Sequence, residues 1–139
     1  MNNALPPKLI QIDLRRQSRV LYLSYDNGEE YSLPFEFLRV HSPSAEVRGH
    51  GPGQEVLQYG KEDVMITGME PVGNYAIRLV FSDGHDSGIY AWTYLYELAT
   101  TQQQLWDTYL KKLAAAGKSR KSDKPRLSVV QTFDPSRKS

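Results

Sequence analysis

Three histidines, His41, His50 and His85, are the residues best suited to chemistry, and all sit in two turn-rich segments. The first segment is Leu38–Gly53, "LRVHSPSAEVRGHGPG", and the second is Phe81–Leu98, "FSDGHDSGIYAWTYLYEL". Three imidazoles that converge can hold zinc at about 2.0–2.1 Å, with Glu46 or Asp83 supplying an oxygen. The spacing matches no compact ligand motif, because His50 follows His41 by nine positions and His85 follows His50 by 35. Turn histidines commonly do no more than hydrogen-bond to backbone. Ser42, Ser44 and Ser87 lie near these histidines and raise the chemistry of a serine hydrolase. That chemistry needs a strained elbow presenting the serine and donors for an oxyanion, and G-x-S-x-G does not occur. Gly49, Gly51 and Gly53 form a G-x-G-x-G that no helix follows within a βαβ unit, so it matches neither phosphate-binding pattern. Tyr90, Trp92, Tyr94 and Tyr96 could stack a planar ligand, but aromatic residues at such spacing on a helix more often pack a core.

These segments must be positioned by the elements around them. Lys8–Leu14, Arg19–Tyr25 and Glu30–Leu33 read as three strands with short polar links, which predicts an antiparallel meander. Asn27-Gly28 favours a tight type I′ turn between the second and third. Pro34 closes the third strand and suits a helix start, and Ser42-Pro43 ends the short helix that follows. From Ser42 to Gly60 the chain reads as one long loop, a length that inside a small domain usually serves function. Asp63–Met69 and Tyr75–Phe81 are two further strands. A helical pattern begins at Trp92, and a second helix spans Thr101–Ala116 with Gly117 as its cap. No internal repeat is visible in the sequence. The fold class expected is therefore α+β: a mainly antiparallel sheet of about five strands, a short helix after the third, and C-terminal helices packed on it.

At 139 residues the chain suits one domain of modest core, with 40% hydrophobic and 24% charged residues. No cysteine is present, which excludes disulfides, thiolate metal sites and cysteine nucleophiles. With no apolar run near the ~18–20 residues that span a bilayer, and no secretory leader at Met1–Pro7, the expectation is a cytoplasmic protein without membrane contact. Charge is uneven. Residues 118–139 carry seven basic against two acidic side chains, +5, which leaves −4 on the first 117 of a chain whose net charge is +1. That profile predicts a folded domain over 1–117 and a disordered basic tail over 118–139. Any nucleic-acid contact would be confined to weak binding by that tail.

The same two segments, "LPFEFLRVHSPSAEVRGHGPG" and "FSDGHDSGIYAWTYLYEL", resemble the domain of unknown function 971 family. That family is similar to the N-terminal domain of gamma-butyrobetaine hydroxylase and trimethyllysine hydroxylase, and the likeness covers roughly residues 7–100. In those hydroxylases the domain holds zinc through a pattern L-R-D-x-C-x-C-x-x-C and a histidine. Leu38 and Arg39 match the pattern, the three cysteine positions fall on Ser42, Ser44 and Val47, and the histidine position corresponds to His85. The resemblance thus implies the fold without the zinc, and no cofactor. The hydroxylases add an oxygenase domain with an iron site, for which this chain has no H-x-[DE] pair. No catalytic residue is assigned. Other relatives are fused to iron–sulfur carrier ATPases, which implies an accessory role beside a metabolic or cluster-assembly partner. The reading is a non-catalytic interaction module that meets a protein partner through Arg39, Glu46, His50, Asp83, His85 and Trp92. Arg39 paired with Glu46 or Glu36 would be an ordinary surface ion pair. The alternative is a metal- or small-molecule-binding subunit of an oxygenase-type enzyme.

Overall fold

Alternation of apolar and polar residues dictates both central strands. In the computed structural model, which describes residues 5–122, β2 (Val20–Tyr25) turns Leu21, Leu23 and Tyr25 inward. It lies between β1 (Leu9–Arg15) and β3 (Glu30–Pro34) in an antiparallel sheet. A second antiparallel sheet has the order β4 (Ile66–Val72), β5 (Ala76–Phe81), β6 (Gly88–Ala91), with Ile77, Leu79 and Phe81 pointing inward from β5. The helices are α1 (Phe35–Val40), α2 (Ala45–Arg48), α3 (Trp92–Thr100) and α4 (Gln102–Ala116). The α+β class is as the sequence indicates. The strands number six among the described residues and divide into two sheets of three. The additional strand, β6, is only four residues long and starts on glycine, so it leaves almost no periodic signal.

Phe35, Phe37, Leu38, Tyr90, Leu95 and Leu98 join the inward strand residues in one core, each at most 1% exposed. Full burial of such a side chain contributes about 1.5–3 kcal/mol. The turn after β2 differs from the type I′ expectation. Gly28 has φ 92° while Asn27 stays out of the left-handed region. Gly28 N–H donates to Tyr25 O at 3.0 Å and Tyr25 N–H to Glu29 O at 2.9 Å, the pattern of a type I turn closed by a glycine bulge. Asn27 Oδ1 accepts from Glu29 N–H at 3.0 Å, which fixes its backbone on the negative-φ side.

That hairpin has a double. Gly84, with φ 91°, donates to Phe81 O at 3.1 Å, Phe81 N–H donates to His85 O at 2.9 Å, and Asp83 Oδ1 accepts from His85 N–H at 3.2 Å. The bulge at Leu9/Gln11 in the β1–β2 pairing recurs at Ile66/Gly68 in β4–β5. Phe35 N–H donates to Arg19 O, as Trp92 N–H does to Tyr75 O, each at 3.0 Å. Residues 9–40 and 66–97 are thus two copies of one β-β-β-α unit, offset by 56–57 positions. The sequence hides the repeat because the copies agree in apolar pattern more than in identity: Leu23/Leu79, Gly28/Gly84 and Leu38/Leu95 match, and few others do. The helix of each unit reaches the hairpin of the other. Arg39 on α1 meets Asp83, and its counterpart Tyr96 on α3 donates to Glu29 Oε1 at 2.8 Å.

The connector 41–65 and α4 with the residues after it lie outside the repeat. The first residues of the stretch expected to be a tail, 118–122, are described, and they lie against the connector. Ser119 and Arg120 accept from Gly60 and Glu62 N–H at 2.9 and 3.0 Å, and Arg120 clasps the Glu36 carboxylate with contacts of 2.7–3.2 Å. Residues 123–139, the rest of that tail, lie outside the described residues.

Candidate functional site

The connector follows a helix that Ser42-Pro43 cannot continue, and its residues are held chiefly by one hairpin tip, Asp83–His85. His85 is 6% exposed. Its Nε2 lies 2.8 Å from Ser42 Oγ and 3.4 Å from Ser44 Oγ, and its Nδ1 lies 3.0 Å from Glu46 Oε1. Burial lowers the proton affinity of the ring, and the Arg39 charge lowers it further. Glu46 and Asp83 oppose this without reversing it. A neutral ring has one N–H, and the Glu46 carboxylate can only accept, so Nδ1 carries the proton and Nε2 accepts from Ser42. Asp83 holds the far end of the connector. It meets Arg39 Nε at 2.9 Å and Lys61 Nζ at 2.6 Å, while Arg39 Nη1 donates to Gln58 Oε1 at 3.0 Å. Desolvation works against the ionised carboxylate. The Lys61 hydrogen bond, the Arg39 charge and hydrogen bond, and the His85 amide outweigh it and hold the group at about 2, below its ordinary 3.8.

Ser42, His85 and Glu46 have the order of a serine-hydrolase triad, yet the serine cannot act as one. It is 1% exposed, its Oγ already accepts from Ser44 N–H at 3.3 Å, and a methyl group at Gly88 would lie 2.6 Å from it. A carbonyl carbon has no approach to that oxygen. The acid of the set, Glu46, is 72% exposed, where a triad carboxylate is buried. The zinc that the resemblance brings to mind does not fit either. Two ligands of one tetrahedral zinc stand roughly 3.3–3.6 Å apart. His85 Nε2 and Ser42 Oγ are instead in direct hydrogen-bond contact, and the remaining positions hold a neutral hydroxyl and Val47. The three histidines do not gather. His41 Nδ1 donates to Phe37 O at 2.9 Å, His50 is exposed on the loop, and among the described residues no group of three His, Cys, Asp or Glu is placed to hold a metal.

With both ends fixed, the middle of the connector stands away from α4 and leaves a groove of about 960 Å³. Val56 N–H donates to Val47 O at 2.8 Å and braces the wall. Gly49 has no alternative, since a Cβ there would sit 2.0 Å from Gln54 O. Val40, Val47, Leu57, Leu105 and Tyr109 line the groove with apolar surface, and Arg48, His50 and Lys112 supply polar positions. Tyr94 and Tyr109 tie the connector down by donating to His41 O at 2.6 Å and Gln58 O at 2.8 Å. Burial pushes the Tyr109 hydroxyl up to about 12, so it remains a donor at any physiological pH.

Of the six contact residues read from the sequence, Arg39, Glu46, Asp83 and His85 converge on the connector's two ends. Arg39 pairs with Asp83 rather than with Glu36 or Glu46, and it is 7% exposed, so it forms no surface ion pair. His50 lines the groove. Trp92 lies apart, at the other end of β5, where its Nε1 donates to Asn74 O at 2.9 Å. Tyr90 is fully buried and Tyr94 and Tyr96 are partly so, as packing residues. Sequence reasoning passed over Gln58, Lys61, Arg48 and Lys112. Only Lys112 left a signal, through the helical stripe Leu105, Thr108, Tyr109, Lys112.

The paired β-β-β-α units and the hairpin that grips their connector define a small α+β domain. The chain belongs to the gamma-butyrobetaine hydroxylase-like N-terminal domain family, whose model matches residues 12–96. One solution NMR structure is 52% identical, covering 91% of this chain and 98% of its own at a TM-score of 0.73. Another is 46% identical, with coverages of 96% and 98% and the same TM-score. A crystal structure from Acidithiobacillus ferrooxidans, of a protein of unknown function in the domain of unknown function 971 family, is 37% identical. It covers 66% of this chain and 92% of its own, with a TM-score of 0.56. No curated protein matches. No helix among the described residues is long and apolar enough to cross a membrane.

Proposed function

We propose that the chain is a non-catalytic interaction module, an accessory to a protein partner, and that the groove between the connector and α4 is its binding surface. One observation carries the reading. Ser42, Asp83 and His85 are taken up in gripping the connector's ends, and the segment they present, residues 47–57, leaves Val56 52% exposed over a groove of about 960 Å³. Side chains satisfied by one another in a buried network make a rigid scaffold. An apolar cleft with a few polar groups at its edge is the usual form of a binding site. Arg39, Asp83 and His85 then serve the partner indirectly, by setting the shape of the wall, while His50 faces it.

The test is affinity capture from the organism's own lysate with the wild-type chain beside Val56→Arg and Thr108→Arg, two exposed positions along the groove. A partner retained by the wild type and lost with both variants, at unchanged melting temperature, is the expected result. Recovery of the same proteins by all three chains would refute the assignment of the surface.

A further inference from the structure

We infer that the groove takes a short segment of a partner protein that carries apolar anchors and carboxylates, an acidic amphipathic peptide. This rests on the interaction reading above and adds the chemistry of the occupant.

The charge pattern points this way. Arg15, Arg19, Arg39, Lys61, Arg78 and Arg120 each meet a carboxylate of this chain within 4 Å. Among the described residues Lys8, Arg16, Lys111, Lys118 and Lys121 form no such pair on the exposed surface, and neither do the two basic residues that line the groove from opposite walls, Arg48 and Lys112. Arg48 is instead laid over the Tyr94 ring, 5.0 Å from its centroid, and so is held in place without being neutralised. Lys112 stands close enough to His41 for its charge to reach that ring. The one carboxylate among the described lining residues is Glu55, which makes no ion pair with either cation. An arginine held against a tyrosine, with more donors than that contact uses, is disposed to receive a carboxylate as well.

The apolar part of the occupant follows from the floor. Along α4 the groove runs from Leu105 to Ala116, which at about 1.5 Å per residue is roughly 16 Å. That accommodates about five residues of extended chain or three turns of helix. Val40, Val47, Leu57 and Tyr109 offer sockets for two or three apolar side chains. Most of the lining comes from the connector and α4, which lie outside the duplicated unit, with Val40 and Tyr94 contributed by the two copies.

The experiment uses the full chain to select from a library of random 12-residue peptides displayed on phage, with counter-selection against the double variant Arg48→Glu/Lys112→Glu. The expected outcome is enrichment of Asp or Glu together with Leu, Ile or Phe. A synthetic peptide of the enriched sequence should shift the backbone amide resonances of residues 47–58 and 105–116. It should bind the double variant at least about tenfold more weakly and lose affinity as salt rises from 20 to 300 mM, roughly as expected for two ion pairs. Neutral or basic peptides that map to the groove would overturn the acidic assignment and leave the interaction surface standing. Selection of nothing above the double variant, or of peptides that shift residues outside the groove, would overturn the peptide site, whatever the lysate capture recovers.

Discussion

Asp83→Asn is the most exacting test of the clamp on the connector. The carboxylate titrates at about 2 against an ordinary 3.8, a gap that corresponds to about 2.4 kcal/mol before allowance for solvent. Its side chain is 22% exposed but sits on an exposed hairpin tip, so screening reduces the contribution to about 1–2 kcal/mol. The amide also leaves the Arg39 guanidinium, 8% exposed at its side chain, with Gln58 and no counter-charge, and the total cost expected is about 2–3 kcal/mol. The folded pKa is depressed, so this stability is fully present above about pH 3.8 and is lost as pH falls through about 2. Urea unfolding of wild type and variant between pH 7 and pH 3 measures it. The difference should be constant down to about pH 5 and shrink to roughly half of its ionic part by pH 3. A difference below about 0.5 kcal/mol at pH 7, or one that does not change with pH, would refute the clamp.

Truncation after Gly117 removes Arg120 and strands the Glu36 carboxylate, which is 7% exposed, so the melting temperature should fall by several degrees and Arg120→Ala should reproduce most of the loss. Equal melting of the truncated and full chains would place the domain boundary at Gly117. Gly88→Ala should destabilise by about 1–3 kcal/mol, because its Cβ meets Ser42 Oγ at 2.6 Å and Tyr90 Cε1 at 3.1 Å inside the core; restoration by Ser42→Ala in the same chain is the check. Tyr25→Phe should be neutral or stabilising by up to about 1 kcal/mol, since its buried hydroxyl has no hydrogen-bond partner among the described residues. A loss above that in a chemical melt would mean the hydroxyl does find a partner.

Most of the fold was legible because strand alternation, Pro34 and Gly117 act over a few residues. Leu21, Leu23 and Tyr25 announce a buried face by their spacing alone. The site was legible only in part. The segments containing Ser42 and His85 could be singled out, but nothing local tells Arg39 to choose Asp83, 44 residues away, over nearer Glu36 and Glu46. Glu36 finds Arg120 at a separation of 84. Such pairings follow from the way two sheets and two helices close on each other, which is a property of the assembled chain. The same closure turns Arg39 and His85 from the exposed contacts their polarity suggests into buried supports. It also leaves Arg48 and Lys112, ordinary surface residues in the sequence, lining the groove without a carboxylate partner among the described residues.

The doubled β-β-β-α unit has a consequence for how the molecule can change. A two-fold arrangement supplies every local environment twice, and a single chain allows the two copies to diverge separately. At the first hairpin Glu29 accepts from Tyr31 and Tyr96, and its task ends in packing. At the second, Asp83 and His85 occupy the matching turn and hold the segment that joins the halves. The joint between the copies, which a symmetric pair of separate chains would lack, carries exposed positions, Glu55 and Val56 among them, that belong to neither hydrophobic cluster of the described residues. On the interaction reading proposed above, the side chains at such positions can change what the groove binds while the framework stays constant.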